Sequence, residues 1–161
     1  MKQSWVYIFC KTSSENKIAN YIKMAFDDIE TAVPMRIRRK TIRGNAIEDL
    51  VNILPGYVFF RTKDDQYVPQ LEYVPNVFKL LEYDNRSWKL LGRDAVFAEF
   101  LFENNALMEP RVSFINGRLH FEEGFLYGYD DRVLRVNRRK KTAELKLDIC
   151  EQPFWVGYNE N

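Results

Sequence analysis

The side chains best suited to chemistry in this sequence are cations, and they fall in two runs, between residues 36 and 43 and between residues 132 and 141. Concentrated positive charge in a chain of formal net charge +1 is typical of a protein that binds a phosphate-bearing partner. A solvated hairpin whose charges protect its edge from aggregation explains the same pattern equally well. The candidate nucleic-acid-binding residues are Arg36, Arg38, Arg39, Lys40 and Arg43 in the first run and Arg138, Arg139, Lys140 and Lys141 in the second.

Residues suited to catalysis are few. His120 is the only histidine, and the alternating segment around it predicts that it lies on the polar face of a strand. The scattered glycines form neither G-x-G-x-x-G nor G-K-[ST], so nucleotide hydrolysis is disfavoured. Carboxylates cluster at Asp64-Asp65, Glu122-Glu123 and Asp130-Asp131, but the members of each pair are adjacent in sequence, and adjacent residues of a strand point to opposite faces. We therefore expect no enzymatic activity and no cofactor.

Cys10 and Cys150 are the only two cysteines and lie far apart in sequence. With a single histidine, they do not form the ligand set of a zinc site, so we expect no metal. Two buried reduced thiols are the simpler interpretation, and a disulfide is also compatible with the sequence.

Composition predicts a folded chain of one domain or two small ones. Of its 161 residues, 46% are apolar and 15% aromatic, which is ample for a core, and the 29% of charged residues argue against a low-complexity segment. No apolar run approaches the roughly 18 residues of a membrane helix, and the first residues lack the apolar core of a signal peptide. We therefore expect a soluble, cytoplasmic monomer.

Apolar patterning predicts a sheet and an amphipathic helix near the N-terminus. Residues 5–11 are β-branched or aromatic at nearly every position, as in a central strand buried on both faces. Between residues 18 and 26, apolar side chains recur every four positions, which predicts a helix lying on that sheet. Ser13 or Ser14 is the predicted cap of this helix.

Turn residues divide the next segments. The first basic run predicts a hairpin that turns at Gly44-Asn45. Pro55-Gly56 forms a corner directly before an apolar strand over residues 57–61. Asp94 is the predicted cap of a second long helix, and a domain boundary follows near residues 105–112.

Beyond this boundary the helical period disappears, and short strands separated by glycine or asparagine follow. A segment of about fifty residues is near the lower limit for a self-standing core, which favours a compact five-stranded barrel. Phe154, Trp155 and Tyr158 are the predicted filling of this barrel.

Two sets of motifs resemble one known family. Residues 5–8, 54–59 and 74–77 appear in the order and spacing of the N-terminal (NGN) domain of the NusG family of transcription elongation factors. Residues 116–119 and 123–140 resemble a KOW motif, although Phe125 stands where its turn usually has proline. The resemblance implies an α+β fold: an NGN-type α/β sandwich, with an antiparallel sheet and flanking helices, over residues 1–106, a linker over 107–112 and a KOW-type β-barrel over 113–161.

The resemblance implies that the first domain binds RNA polymerase, at the clamp helices of its largest subunit. The positions that match this surface are Leu54, Tyr57 and Phe59. The alternative is that Tyr57 and Phe59 cover the domain's own core, since apolar strand residues are usually packing. Binding across the cleft would disfavour the pause-prone open state, which describes an antipausing factor and processive antiterminator.

The basic residues would meet other partners of the elongation complex. The first run would lie near upstream or non-template DNA and contact phosphates without reading sequence. For the KOW domain, three partners compete: a nascent RNA hairpin, a ribosomal small-subunit protein and the Rho termination factor. Cations beside Tyr127 and Tyr129 favour RNA.

The dense basic run of the second domain and the short first domain resemble a specialised paralogue of the LoaP or RfaH kind. Two alternatives stay open. One is a general NusG that assists pausing or Rho-dependent termination. The other, of a different class, is a KOW-type RNA-binding module associated with the ribosome.

Overall fold

The computed structural model describes residues 4–63, 65–104, 107–148, 150 and 152–160, with only the backbone of Arg39. No helix in these ranges is long and apolar enough to cross a membrane.

Two compact units are present, one of residues 1–34 and 54–105 and the other of residues 35–53 and 106–161. The elements in chain order are β1 (Ser4–Cys10), α1 (Glu15–Ala25), β2 (Ile29–Ala32), β3 (Met35–Ile42), β4 (Asn45–Asn52), β5 (Tyr57–Thr62), a 3-10 helix (Asp65–Tyr73), β6 (Val77–Leu80), α2 (Gly92–Glu103), β7 (Arg111–Ile115), β8 (Arg118–Phe121), a 3-10 helix (Asp130–Arg132), β9 (Val133–Asn137), β10 (Thr142–Leu145), β11 (Phe154–Gly157) and β12 (Asn159–Glu160).

The first unit is built on an antiparallel sheet with strand order β2-β5-β1-β6. The two most apolar strands, β1 and β5, are central, which confirms the prediction for residues 5–11. Successive side chains of a strand point to opposite faces. On one face, Val6 and Ile8 of β1 and Phe60 of β5 pack in a buried cluster with Ile18 and Ile22 of α1. The antiparallel sheet with flanking helices confirms the predicted α/β architecture of this part of the chain.

Helix α1 begins where the sequence predicts, but its capping differs. Ser14 is the N-cap residue, and its side chain makes no capping hydrogen bond. Instead, the backbone N–H of Ser13 donates to Oε1 of Glu15 over 3.0 Å. Phe26, the last residue of the predicted apolar stripe, follows the helix and is half-buried.

Helix α2 begins at Gly92, with Leu91 at its N-cap, so the prediction that Asp94 caps it is wrong. Asp94 lies in the first turn and is buried. Its Oδ2 accepts a hydrogen bond from the hydroxyl of Tyr83 over 2.8 Å, which fastens the helix to the preceding loop.

The second unit contains the predicted basic hairpin, formed by β3 and β4. Its base is joined to Leu107, whose N–H donates to the carbonyl of Met35 and whose carbonyl accepts the N–H of Ile37. The hairpin thus groups with the C-terminal residues, whereas the sequence placed it in a domain over residues 1–106. Strand β7 begins at Arg111, inside the predicted linker. The division into NGN and KOW modules stays a prediction.

The rest of the second unit forms two three-stranded sheets, β12-β7-β8 and β11-β10-β9. Among the described residues these two sheets do not form a closed barrel, so the predicted barrel is not confirmed. The chain between β8 and β9 turns at Gly124 and Gly128 and enters a 3-10 helix, so it does not extend as a strand that joins the two sheets. Phe154 and Tyr158 are buried, as predicted for core-filling residues, but Trp155 is exposed.

Candidate protein and nucleic-acid interfaces

The second face of the first unit's sheet carries a row of aromatic rings. We call it the aromatic row and define it as Tyr7, Phe9, Tyr57, Phe59 and Phe78. Cross-strand pairing places Tyr7 opposite Phe59 and Phe9 opposite Tyr57. The rings of Tyr7 and Phe59 stack with centroids 5.0 Å apart, and those of Phe9 and Tyr57 lie 5.3 Å apart. Aromatic pairs at these distances contribute stability beyond the area that they bury.

The predicted RNA polymerase contacts lie at the buried part of this row or next to it. Leu54 is 2%, Tyr57 4% and Phe59 2% exposed, and the ring of Phe59 also meets Phe97 of α2. All three side chains therefore pack in the protein, as the alternative interpretation of the sequence expected. Their role in docking stays a prediction.

The exposed end of the aromatic row was missed by the sequence analysis. Phe78 on the edge strand β6 is 62% exposed, and its ring lies 5.6 Å from that of the half-buried Phe9. The sequence indicates part of this aromatic face, because Phe9 lies two positions after Tyr7 on β1 and therefore points to the same side of the sheet. An exposed phenylalanine that continues a buried aromatic row is a suitable anchor for a protein partner.

The Pro-Gly corner before β5 is held by a buried carboxylate. Gly56 has φ +91°, and a Cβ at this position would lie 2.9 Å from Cε2 of Phe9, so only glycine fits without strain. Its N–H donates to Oε1 of Glu15 over 3.1 Å, and its carbonyl accepts the N–H of Cys10 over 2.7 Å. The corner is thereby fixed to both β1 and α1, which sets the start of β5.

In the first basic run, two of the predicted nucleic-acid-binding residues share one carboxylate. Arg38 donates two hydrogen bonds to Asp49, from Nε over 3.2 Å and from Nη2 over 2.8 Å. Nζ of Lys40 lies 3.0 Å from the same carboxylate. These bonds lower the pKa of Asp49 to about 2, chiefly through Arg38, and the bond to Asp49 raises the pKa of Arg38. Asp49 therefore neutralises part of the run.

The other members of this run differ in environment. Nη1 of Arg36 lies 3.8 Å from Oε1 of Glu109, and its side chain is only 17% exposed. Arg43 is exposed in the two-residue turn, with φ +51°. The side chain of Arg39 lies outside the described part of the structure. Among the described side chains of this run, Arg43 is thus the one that no carboxylate approaches.

The second basic run lies at the turn between β9 and β10. Arg138 is occupied, because Nη2 donates to Glu160 over 2.7 Å and the guanidinium carbon lies 3.9 Å above the centre of the Phe114 ring. Arg139, Lys140 and Lys141 are exposed. The structure thus brings three of the four predicted residues together on an open turn and assigns the fourth to the fold.

Of the aromatic residues that favoured RNA in the sequence, only one is accessible. Tyr127 is 65% exposed in a turn, whereas Tyr129 is 1% exposed. A buried ring offers no face for a base to stack on, so Tyr129 belongs to the core of the second unit.

His120 has a structural partner. It is half-buried, and its Nδ1 lies 2.5 Å from Oδ2 of Asp130. The other oxygen of Asp130 accepts the N–H of Phe121 over 3.0 Å. The pair joins β8 to the following 3-10 helix, which is a sufficient reason for a histidine at this position.

Cys10 and Cys150 form no disulfide and are both buried, which confirms the simpler interpretation of the two cysteines. Burial, with a smaller contribution from Glu15, raises the pKa of the Cys10 thiol to about 11. A thiol in this environment is a packing group and not a nucleophile.

The family model described as transcription termination factor nusG matches residues 3–98 of this chain, which is more than half of its length. Within the match lie the sheet, the aromatic row and the Pro-Gly corner of the first unit. No curated protein matches the sequence significantly.

Among solved structures, the chain superposes on Thermotoga maritima NusG, in a structure concerned with domain interaction in that protein. The TM-score is 0.58 at 13% identity, over 98% of this chain and 94% of that chain, so the two share a fold. Two conformations of an MjSpt4:Spt5 complex also align, with 15% identity and TM-scores of 0.34 and 0.35. These alignments cover 94% and 95% of this chain and 91% of each of those chains, and they superpose too loosely to define its fold.

Proposed function

Because this chain belongs to the NusG family of transcription factors, we propose that it is a transcription elongation factor. Its first unit binds RNA polymerase, and its second unit binds nascent RNA. Within this role we propose that it acts as a processive antiterminator and antipausing factor. The open basic turn of Arg139, Lys140 and Lys141 supports RNA binding by the second unit, because it presents three exposed cationic side chains to a phosphate-rich ligand.

The observation that most supports polymerase binding is the aromatic row with its one exposed end. We propose that a polymerase segment docks at Phe78 and Phe9 and that Leu54, Tyr57 and Phe59 form the floor of this surface. Aromatic anchors surrounded by well-packed groups carry much of the energy of protein interfaces. The buried floor fixes the position of Phe9, and Phe78 supplies the accessible ring.

The proposed mechanism needs no chemical step by the protein. Polymerase in elongation exchanges between an active, closed clamp and a pause-prone, open clamp. A factor that binds the closed form more tightly shifts the population toward it, by as much as the difference between the two binding free energies. The basic hairpin would add phosphate contacts to upstream or non-template DNA, which position the factor without reading sequence.

The test replaces Phe78 with aspartate and measures binding of the full chain to reconstituted elongation complexes. We expect Phe78→Asp to weaken binding by about tenfold or more, because a charge replaces the exposed anchor. Met24→Asp is the matched control, since Met24 is 89% exposed on α1, which packs on the opposite face of the sheet. Both variants put the same charge on the surface of the same unit.

Equal binding by the wild type and Phe78→Asp would contradict the proposed surface, and a wild type that does not bind the complexes would contradict the proposed function. Pause duration on a template with a strong pause is the second readout. We expect the wild type to shorten pauses and Phe78→Asp to lose this effect at the same concentration.

A further inference from the structure

The outward face of the sheet β11-β10-β9 carries a row of three side chains that crosses all three strands. Glu144 on β10 pairs with Arg135 on β9 and with Trp155 on β11. Trp155 is 46% exposed, although its neighbours Phe154 and Val156 are buried. A half-exposed tryptophan on an edge strand presents a large π face to a ligand.

Arg135 covers the middle of this row. Its Nη2 donates to both oxygens of Glu144, over 3.2 and 3.0 Å. Its guanidinium carbon lies 5.9 Å from the centre of the Trp155 ring, within the range of a cation–π contact. The side chain of Glu144 is 6% exposed and that of Arg135 72% exposed. The carboxylate thus neutralises and orients the guanidinium, which lies beside the indole and extends its surface.

The open basic turn joins two of these strands, because residues 138–141 connect β9 to β10. Residues 139–141 lie three to five positions from Glu144 in sequence. None of the three cationic side chains of this turn forms an ion pair with a described residue. Asn137 stabilises the turn, because its Oδ1 accepts the N–H of Lys140 over 3.0 Å. The sheet therefore carries a stacking surface on its strands and unpaired cationic side chains at the turn between two of them.

We propose that this face is a binding site for single-stranded RNA, in which one base stacks on Trp155 and Arg135. The phosphates that follow bind to Arg139, Lys140 and Lys141. The inference rests on the proposed function, since it assigns the residues by which the second unit would bind the nascent transcript. Every base has a π face, so the site accepts bases without reading their identity.

Charge favours RNA over a protein partner at this face. Glu144 is the acidic residue of the row, and Arg135 already neutralises it. A base also needs an exposed, flat ring, and the row supplies one next to a guanidinium that stacks on bases.

The test compares Trp155→Leu and Trp155→Phe with the wild type in binding a fluorescein-labelled single-stranded RNA of about 12 nucleotides, by fluorescence anisotropy. We expect Trp155→Leu to weaken binding by about tenfold and Trp155→Phe to stay within about threefold of the wild type, because phenylalanine retains a π face. Tyr127→Leu is the control, since Tyr127 is a still more exposed ring of the same unit and lies outside this sheet. We expect no change for it.

Salt dependence separates stacking from phosphate binding. Lys140→Gln should reduce the slope of log affinity against log salt by about 0.7, as for one lost phosphate contact on a single strand. Trp155→Leu should weaken binding at every salt concentration and leave the slope unchanged. Tryptophan emission tests the same point if Trp155→Leu does not fold: RNA should quench the wild type and quench Trp155→Phe much less.

Unchanged affinity of Trp155→Leu, greater loss in Tyr127→Leu or equal quenching of the wild type and Trp155→Phe would overturn the inference. The inference is also overturned if the wild type binds single-stranded DNA of this sequence but no RNA. It is overturned as well if the wild type binds neither nucleic acid, and a protein is then the alternative partner for this face. Binding to elongation complexes that lack an emerged transcript is measured in parallel. Trp155→Leu should bind them as the wild type does, so failure of the RNA site is distinguished from failure of polymerase binding.

Discussion

The guanidinium of Arg38 and the carboxylate of Asp49 form a two-bond pair across the hairpin β3–β4, at 3.2 and 2.8 Å. Lys40 approaches the same carboxylate to 3.0 Å. Asp49 therefore occupies two of the cationic side chains that the sequence predicts to contact phosphate. If they do so, Asp49 competes with phosphate for them, and it also holds both side chains on one face of the hairpin.

Asp49→Asn should strengthen binding to duplex DNA. The variant keeps the shape of the side chain, removes its charge and frees Arg38 and Lys40 for phosphates. Each new phosphate contact should steepen the slope of log affinity against log salt by about 0.9. The measurement is a titration of labelled duplex DNA at several salt concentrations. Asp84→Asn is the control, because Asp84 is exposed in the first unit and the change in net charge is identical. If both variants raise the affinity equally, the hairpin is not the site.

The register that creates this pair shows a limit of sequence reasoning. The basic run and its turn predict a hairpin, and the hairpin is present. The sequence favours a turn at Gly44-Asn45, which would place Arg38 opposite Val51. In the structure the turn residues are Arg43 and Gly44, both with positive φ, and Arg38 lies opposite Asp49. A shift of one residue in the turn changes every cross-strand pair, so charge pairing cannot be predicted without the turn geometry.

Burial shows a second limit. Strands β1 and β5 are predictable because both faces of each are apolar, as in central strands. The same property leaves open whether Tyr57 and Phe59 pack in the core or contact a partner, since periodicity does not tell whether a second layer covers a face. Trp155 shows the reverse case: its apolar neighbours suggest a core position, yet alternation along β11 turns it outward. The closed barrel is not confirmed, and the sequence could not decide it, because pairing between β8 and β9 depends on contacts that a local pattern does not contain.

The charge of Asp49 should be insensitive to mild acid. Its pKa is lowered to about 2, so the carboxylate remains ionised when the pH falls from 7 to 4. A lowered pKa contributes stability above the unfolded value and loses it only as the pH falls toward the folded value. A 13C NMR titration of the side-chain carboxyl measures this directly. A midpoint near 4, the value of an unpaired aspartate, would show that the pair with Arg38 does not persist in solution.

Glu15→Ala should destabilise the first unit. The carboxylate is 6% exposed and accepts the N–H groups of Ser13 and Gly56, at 3.0 and 3.1 Å. Its removal leaves the buried N–H of Gly56 without this acceptor, which costs about 1–3 kcal/mol in the free energy of unfolding. Glu15→Gln should cost less, because the amide oxygen still accepts.

Urea unfolding, followed by far-UV circular dichroism, measures these differences, and Asn16→Ala is the matched control. Asn16 is exposed one position further along α1, so its replacement tests the effect of alanine on the helix alone. Equal midpoints for Glu15→Ala and Asn16→Ala would mean that the bond to Gly56 does not stabilise the corner.

The Cys10 thiol should react only when the first unit unfolds. Burial and, to a smaller extent, the nearby charge of Glu15 raise its pKa from the ordinary thiol value of 9.0 to about 11. At pH 8 the thiolate fraction is therefore about a hundredfold lower than in the unfolded chain. In a Cys150→Ser background, alkylation with iodoacetamide at pH 8 should be slow in buffer and fast in denaturing urea. Because the folded state retains its proton while the unfolded state loses it, stability should fall as the pH rises from 9 toward 11. Fast labelling of the folded protein at pH 8 would place the thiol at the surface and contradict its position in the core beneath α1.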